Sequence, residues 1–375
     1  MANVAQCTNG LIRISKILLL SLLLLSCTEP EPIRVGFVGG TSGRVADLGV
    51  AGRNGVLLAI ELRNQAGGIA GRTIELISKD DEQNPETAER VTRELIAQGV
   101  PAIVGPMTSA MAMIMVPLAN QAQVLLMSPT VTTDALTEQD DYFFRVSSST
   151  RKYAAKSASY QLGTLQNRRI AAVYDLSNRS YTESWLNYFH LTFTQGGGEL
   201  VTKIGFRSGE DTTFLQITRD LLATQPHGIL IVANSVDSAL LCQQIRKLNA
   251  SVAIVISEWG ATEQLLELGG KAVENVTAAQ LFDRNNTEPS YQTFRNAYLK
   301  RFGQEPGFAG VTSFDAANVV LDALAAQPEQ SLKKTILTTR HFQGIQHSLK
   351  FDDFGEAQRD IFITVVREGQ FVVVE

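Results

Sequence analysis

Two strand ends in this chain carry more hydroxyl groups than a turn requires. "MSPTVTTD" (residues 127–134) follows the apolar run Val124-Leu125-Leu126. Pro129 stops that strand, and Thr130 to Thr133 then present hydroxyls and backbone N–H groups. "GPMTSA" (105–110) follows the apolar "PAIV" (101–104) and opens a helical stretch, so Ser109 stands at a helix start. There the free N–H groups and the helix dipole favour an anion. Plain N-capping is the competing role for Thr108 and Ser109. Two adjacent strand ends with this equipment make a small carboxylate site. A carboxylate leaving water needs several donors to replace its hydration.

The chemistry that is missing narrows the reading. The chain holds no G-x-S-x-G, H-E-x-x-H, P-loop or C-x-x-C motif. "GFVGGTSG" (36–43) lacks the spacing of a dinucleotide loop. The four histidines, His190, His227, His341 and His347, are scattered. His341 and His347 bracket "FQGIQ", and two histidines without a carboxylate make a poor metal site. No metal and no cofactor is expected. The formal charge of −5 carries no basic footprint for nucleic acid.

The N-terminus has its own pattern. Arg13 and Lys16 precede the apolar run 17–25, a charged segment followed by an apolar one of signal-peptide length. Leu24-Leu25-Ser26-Cys27 resembles the lipobox of bacterial lipoproteins, which implies cleavage after residue 26, acylation of Cys27 and a membrane anchor. The competing reading is a plain secretory signal with a chance cysteine. Residues 27–32, with Pro30 and Pro32, form a short extended tether. Cys242 lies at helical spacing beside Leu241 and Ile245, which predicts buried packing rather than reactivity. No run after the first 30 residues has the character of a membrane span.

At 375 residues, 44% hydrophobic and 19% charged, the chain suits two ordinary globular domains. From Ile33 onward, short apolar β-branched runs alternate with stretches of helical spacing. The runs include "IRVGFV" (33–38), "TIELIS" (73–78), "RIAAVY" (169–174), "GILIV" (228–232) and "SVAIVIS" (251–257). This alternation predicts parallel sheets covered on both faces. Two sheets of five or six strands fit better than one of a dozen. The break falls near "DYFFRVSSS" (141–149), and the C-terminal tail reads as two strands around a Gly369 turn. Ligands of such sheets sit beyond the carboxyl ends of the strands.

The ordered set "GFVGGTSGRVADLGVAGRNGVLLAIELRNQAGGIAGRTIEL", "IVGPMTSA", "LMSPTVTTDAL", "FDAANVVLDAL" and "FDDFGEAQRDIFITVV" resembles the type I periplasmic binding proteins of the Leu/Ile/Val-binding family. The likeness covers nearly all of residues 33–375. It implies an α/β fold of two doubly wound parallel-sheet lobes joined by a three-segment hinge. Lobe 1 is expected at 33–147 and 280–341, and lobe 2 at 148–279 and 342–375. The family's function would be capture of a small amino acid between the lobes, branched-chain aliphatic ones first, and delivery to an ABC permease. That implies an extracytoplasmic, lipid-anchored monomer for amino-acid transport. A sensory receptor subunit, or a ligand-free envelope lipoprotein regulating a cell-wall enzyme, are the alternatives.

Residue by residue, the resemblance assigns the α-carboxylate to Ser109 and to positions Val131 and Thr132. It assigns the α-ammonium to Glu258, at the end of a lobe 2 strand in "VISEWGAT" (255–262), and an aromatic wall to Tyr181. Helix-dipole pairing for Glu258 and helix packing for Tyr181 are the bland alternatives. Weaker candidates are Asn234 and Trp259, together with Arg44 and Leu48 in "SGRVADLG" (42–49). In that loop Leu48 replaces the family's usual aromatic. Leu48 would suit an aliphatic ligand side chain, and Arg44 an acidic one.

Overall fold

The structure is a computed structural model that describes residues 30–210, 213–327 and 330–375. The expected signal segment 1–26, the expected acylation site Cys27 and tether residues 28 and 29 lie outside the described residues. In the first lobe the strands are β1 (Ile33–Gly39), β2 (Ile74–Asp80), β3 (Ala102–Val104), β4 (Leu125–Ser128) and β5 (Phe143–Arg145), of which β3, β4 and β5 are buried throughout. They make one parallel sheet in the order β2-β1-β3-β4-β5. Its helices are α1 (Ala46–Gln65), α2 (Pro85–Ala97) and α3 (Ser109–Ala122). Asn84 starts α2 by accepting from the backbone N–H groups of Glu86 and Thr87.

The second lobe repeats the pattern. It begins with α4 (Thr150–Gly163), β6 (Arg169–Asp175), α5 (Arg179–Gln195), β7 (Glu199–Phe206) and α6 (Phe214–Ala223). It continues through β8 (Gly228–Val232), α7 (Ser235–Leu248), β9 (Ala253–Ile256), α8 (Glu263–Gly269) and β10 (Thr277–Gln280). The parallel order β7-β6-β8-β9-β10 matches that of the first sheet. In both lobes the order reverses beside the first strand, where a cleft opens at the carboxyl ends.

The chain then returns to the first lobe through α9 (Pro289–Phe302), α10 (Phe308–Ala326) and α11 (Leu332–Thr339). A Cβ at Gly55 of α1 would lie 2.2 Å from the Gly310 carbonyl oxygen, so these two helices meet backbone to backbone. By length and hydropathy α10 reaches the range of a membrane span, unlike the expectation from sequence, yet it is mostly buried inside the lobe.

Position 342 is not where the chain joins the second sheet. β11 (His341–Gln343), β12 (Ser348–Phe351) and β13 (Ala357–Gln358) form a separate antiparallel sheet. Phe351 packs on Phe144 with ring centres 6.2 Å apart, and Ile345 N donates to Asp315 of α10 at 2.9 Å. The alternating burial of β12 explains this. Leu349 and Phe351 face the first lobe while Ser348 and Lys350 face out. Only β14 (Phe362–Arg367) and β15 (Gln370–Val373), turned at Gly369, extend the second sheet.

Three segments therefore cross between the lobes: β5 to α4, β10 to α9, and β13 to β14. Two buried arginines hold the first and third of these. Arg145 donates to Thr133 O at 2.8 Å and pairs with Glu356 at 2.6 Å. Arg359 donates to Val146 O at 2.7 Å and pairs with Asp315 at 2.5 Å.

Candidate functional site

The carboxyl ends of the two sheets face each other across a cleft, and the loops after β1, β3, β4, β6 and β9 line it. Leu48, Met107, Thr108, Ser109, Thr130 and Phe308 come from the first lobe. Asn178, Tyr181, Glu258 and Trp259 come from the second. The space between them is only ≈ 20 Å³, room for about one water. The lobes are closed, so a ligand enters only when they part.

Glu258 follows β9 in a single helical turn and is 6% exposed. Its Oε2 accepts from Trp185 Nε1 at 2.9 Å, while Oε1 is buried without a partner. Burial pushes its carboxyl up to about 7, against the pull of its own backbone N–H and of the Trp185, Tyr181 and Thr132 donors beside it. Tyr181, in the first turn of α5, packs edge-on against Trp259 with ring centres 5.6 Å apart. Its hydroxyl is also buried and unpartnered, and burial raises its pKa well above the ordinary value. Across the cleft, Thr132 Oγ1 is a third buried atom without a close partner, and it faces the Glu258 carboxylate. Ser109 Oγ accepts from Thr133 N at 3.3 Å at the mouth of α3. An acid and two hydroxyls thus converge with unused hydrogen-bonding capacity beside the N-terminus of α3. Such groups are costly to bury unless a ligand satisfies them.

Ser109, Thr132, Tyr181, Glu258, Leu48 and Trp259 are brought together. Three other candidates are not. Val131 is fully buried, its N–H donates to Ser128 Oγ at 3.1 Å, and its side chain joins the apolar layer with Val38 and Met111. Asn234 caps α7 by accepting from Asp237 N at 3.0 Å. Arg44 pairs with the buried Asp237 of the other lobe at 2.5 Å, because closure brings that carboxylate over the loop.

Sequence reasoning missed several contributors. Asn178 Oδ1 accepts from Ala110 N at 2.9 Å, so the second lobe reaches the N-terminus of α3. Asp47 Oδ2 accepts from Ser235 Oγ and Thr262 Oγ1, both at 2.7 Å, and fastens the lobes beside the Arg44 pair. Burial raises its pKa against those hydrogen bonds. Trp185, one turn after Tyr181, was legible only as core. The position of Asn178 after β6, at the topological switch, was the available signal. Among the described residues no group of three or more His, Cys, Asp or Glu side chains is placed to hold a metal. Cys242 is buried, and burial pushes its thiol up to about 12.

Residues 32–370 match the sequence pattern of the family described as periplasmic binding protein. The chain belongs to that family. This periplasmic binding protein is 25% identical over 224 residues to the Leu/Ile/Val-binding protein BraC3 of Rhizobium johnstonii, and the match spans 60% of either chain. It is 21% identical over 331 residues to the leucine-, isoleucine-, valine-, threonine- and alanine-binding protein of Pseudomonas aeruginosa, covering 87% of each. Among solved structures, the branched-chain amino acid transporter substrate-binding protein LivJ of Streptococcus pneumoniae, in complex with isoleucine, has a TM-score of 0.85. At 24% identity it covers 92% of this chain and is itself covered over 99%. That likeness shows the two-lobed type I fold.

Proposed function

We propose that this binding protein captures a small amino acid with an aliphatic side chain, branched-chain ones first, and delivers it to an ABC importer at the extracytoplasmic face of a membrane. The observation that carries this is the pairing of unpartnered polar atoms across the cleft. Glu258 Oε1 and the Tyr181 hydroxyl wait on one side, and Thr132 Oγ1 beside the start of α3 on the other. A zwitterion satisfies both sides together: the ammonium on Glu258, the carboxylate on Ser109, Thr132 and the helix N–H groups. Leu48, Met107, Phe308 and Trp259 offer apolar surface for the side chain, and the other lining residues Thr108, Thr130 and Asn178 already have their side-chain oxygens engaged with Gln83, Met107 O and Ala110 N. The named ligands of the Pseudomonas relative and the isoleucine of the LivJ complex support this class. Acylation at Cys27 would hold the protein at the membrane as a monomer.

A thermal-shift screen with the free amino acids tests the reading, since a ligand that binds only the folded state raises its apparent stability. Stabilisation by aliphatic amino acids supports it. No shift with any amino acid sinks it and favours a ligand-free envelope lipoprotein. Transport and sensing separate by whether an ABC permease or a receptor co-purifies with the loaded protein.

A further inference from the structure

We propose that Met107 sets the length of side chain this protein accepts, limiting it to short aliphatic amino acids such as alanine and valine. The inference rests on the head-group reading above. Glu258 and Thr132 fix where the two charges of a zwitterion lie, and the apolar part of the wall is Leu48, Met107, Trp259 and Phe308. Met107 stands on the turn from β3 to α3, two residues before Ser109, and is 2% exposed.

Its side chain runs across the floor of the cleft. A Cβ at Gly39 would lie 2.5 Å from Met107 Cγ. A Cβ at Gly52 would lie 2.5 Å from Met107 Cε and 2.8 Å from Sδ. The end of β1 and the inner face of α1 are thus stripped to glycine, forming a slot that the thioether fills. Ser313 Oγ, 3.1 Å from the same point at Gly52, is buried and unpartnered behind it. In this protein its own methionine takes that space. Leu48 and Phe308, both buried, close the sides. A ligand side chain that reaches the thioether must displace it from a packed site, and overpacking of this kind is costly.

Titration calorimetry on the mature chain with alanine, valine, leucine and phenylalanine tests the proposal, comparing wild type with Met107→Ala. In wild type, alanine and valine are expected to bind about tenfold or more tighter than leucine, with phenylalanine weaker still, the scale set by a methylene's worth of pocket. In Met107→Ala, leucine is expected to rise to the affinity of valine or beyond. Met107→Val removes less volume and serves if the alanine variant folds poorly; it should shift the ranking in the same direction. Wild-type binding of leucine or phenylalanine as tight as that of valine overturns the proposal. An unchanged ranking in both variants does the same and leaves the head-group reading intact. If wild type binds none of the four amino acids, the role of Met107 falls, and the thermal-shift screen over all the free amino acids decides the head-group reading separately.

Discussion

Trp185 Nε1 donates to Glu258 Oε2 at 2.9 Å and leaves Oε1 of the same carboxylate bare inside a closed cleft. The indole fixes the rotamer of the acid and satisfies half of it. The other half is aimed at the space between the lobes. A carboxylate held this way costs stability in the unliganded protein and returns it when a cation arrives. Glu258→Gln keeps the shape and the Trp185 contact but removes the charge. It should weaken amino-acid binding by about 2–5 kcal/mol, the range for stripping the partner of a buried charge. The unliganded variant should melt no lower than wild type. Calorimetry and thermal melts check both, and unchanged affinity overturns the assignment.

The same carboxyl predicts a pH dependence. Its pKa is raised from 4.5 to about 7, chiefly by burial. The folded, unliganded protein therefore holds a proton that the unfolded chain has already lost between those values. Fewer protons on the unfolded state mean that this contribution to stability falls as pH rises from about 4.5 through about 7. An ammonium on Glu258 favours the ionised form, so binding expels the proton. Affinity should rise with pH across this window, by up to about tenfold per pH unit, and level off above it. Titrations in buffers of different ionisation enthalpy at pH 6 should register up to about one proton released. A flat affinity from pH 5.5 to 8 excludes Glu258 as the ammonium partner.

How much of this was legible depends on what each residue does when the lobes close. The alternation of buried runs and helical stretches was enough for two parallel sheets, since every strand of the form "GILIV" is buried on both faces. β10, "TAAQ", went unseen because it has no aliphatic β-branched residue and is a strand only through its neighbours β9 and β14. Ser109, Tyr181 and Glu258 could be placed at the cleft because they stand at strand ends or helix starts. Arg44 was misread because its partner, Asp237, lies 193 residues away in the other lobe, a pairing no local pattern reveals. Asn234 sits at cleft level but spends its side chain on the cap of α7.

Closure itself is fastened by Asp47. This α1 residue accepts from Ser235 and Thr262, both of the second lobe. Neither bond survives opening. Asp47→Ala should leave the association rate nearly unchanged and speed ligand release by about 10- to 100-fold, the equivalent of roughly 1.5–3 kcal/mol for hydrogen bonds to a charged acceptor. Stopped-flow dissociation with a competing ligand measures it. A release rate equal to wild type means the contact follows closure without stabilising it.

Asp315 and Arg359 form an ion pair at 2.5 Å with both side chains 1% exposed, at the third crossing between the lobes. Asp315 also accepts from Ile345 N, and Arg359 reaches Val146 O on the first crossing. The pair therefore ties two hinge strands and α10 together. Burial alone raises the Asp315 pKa, and the guanidinium opposes that shift. Arg359→Ala leaves an acid buried without its charge partner, which should cost about 3–5 kcal/mol of stability. Replacing both residues, Asp315→Leu with Arg359→Met, should recover most of that loss, because no uncompensated charge remains. Chemical denaturation of the single and double variants separates the two outcomes. A double variant as unstable as the single one would show that the hydrogen bonds to Val146 and Ile345, rather than the charge pairing, hold the hinge.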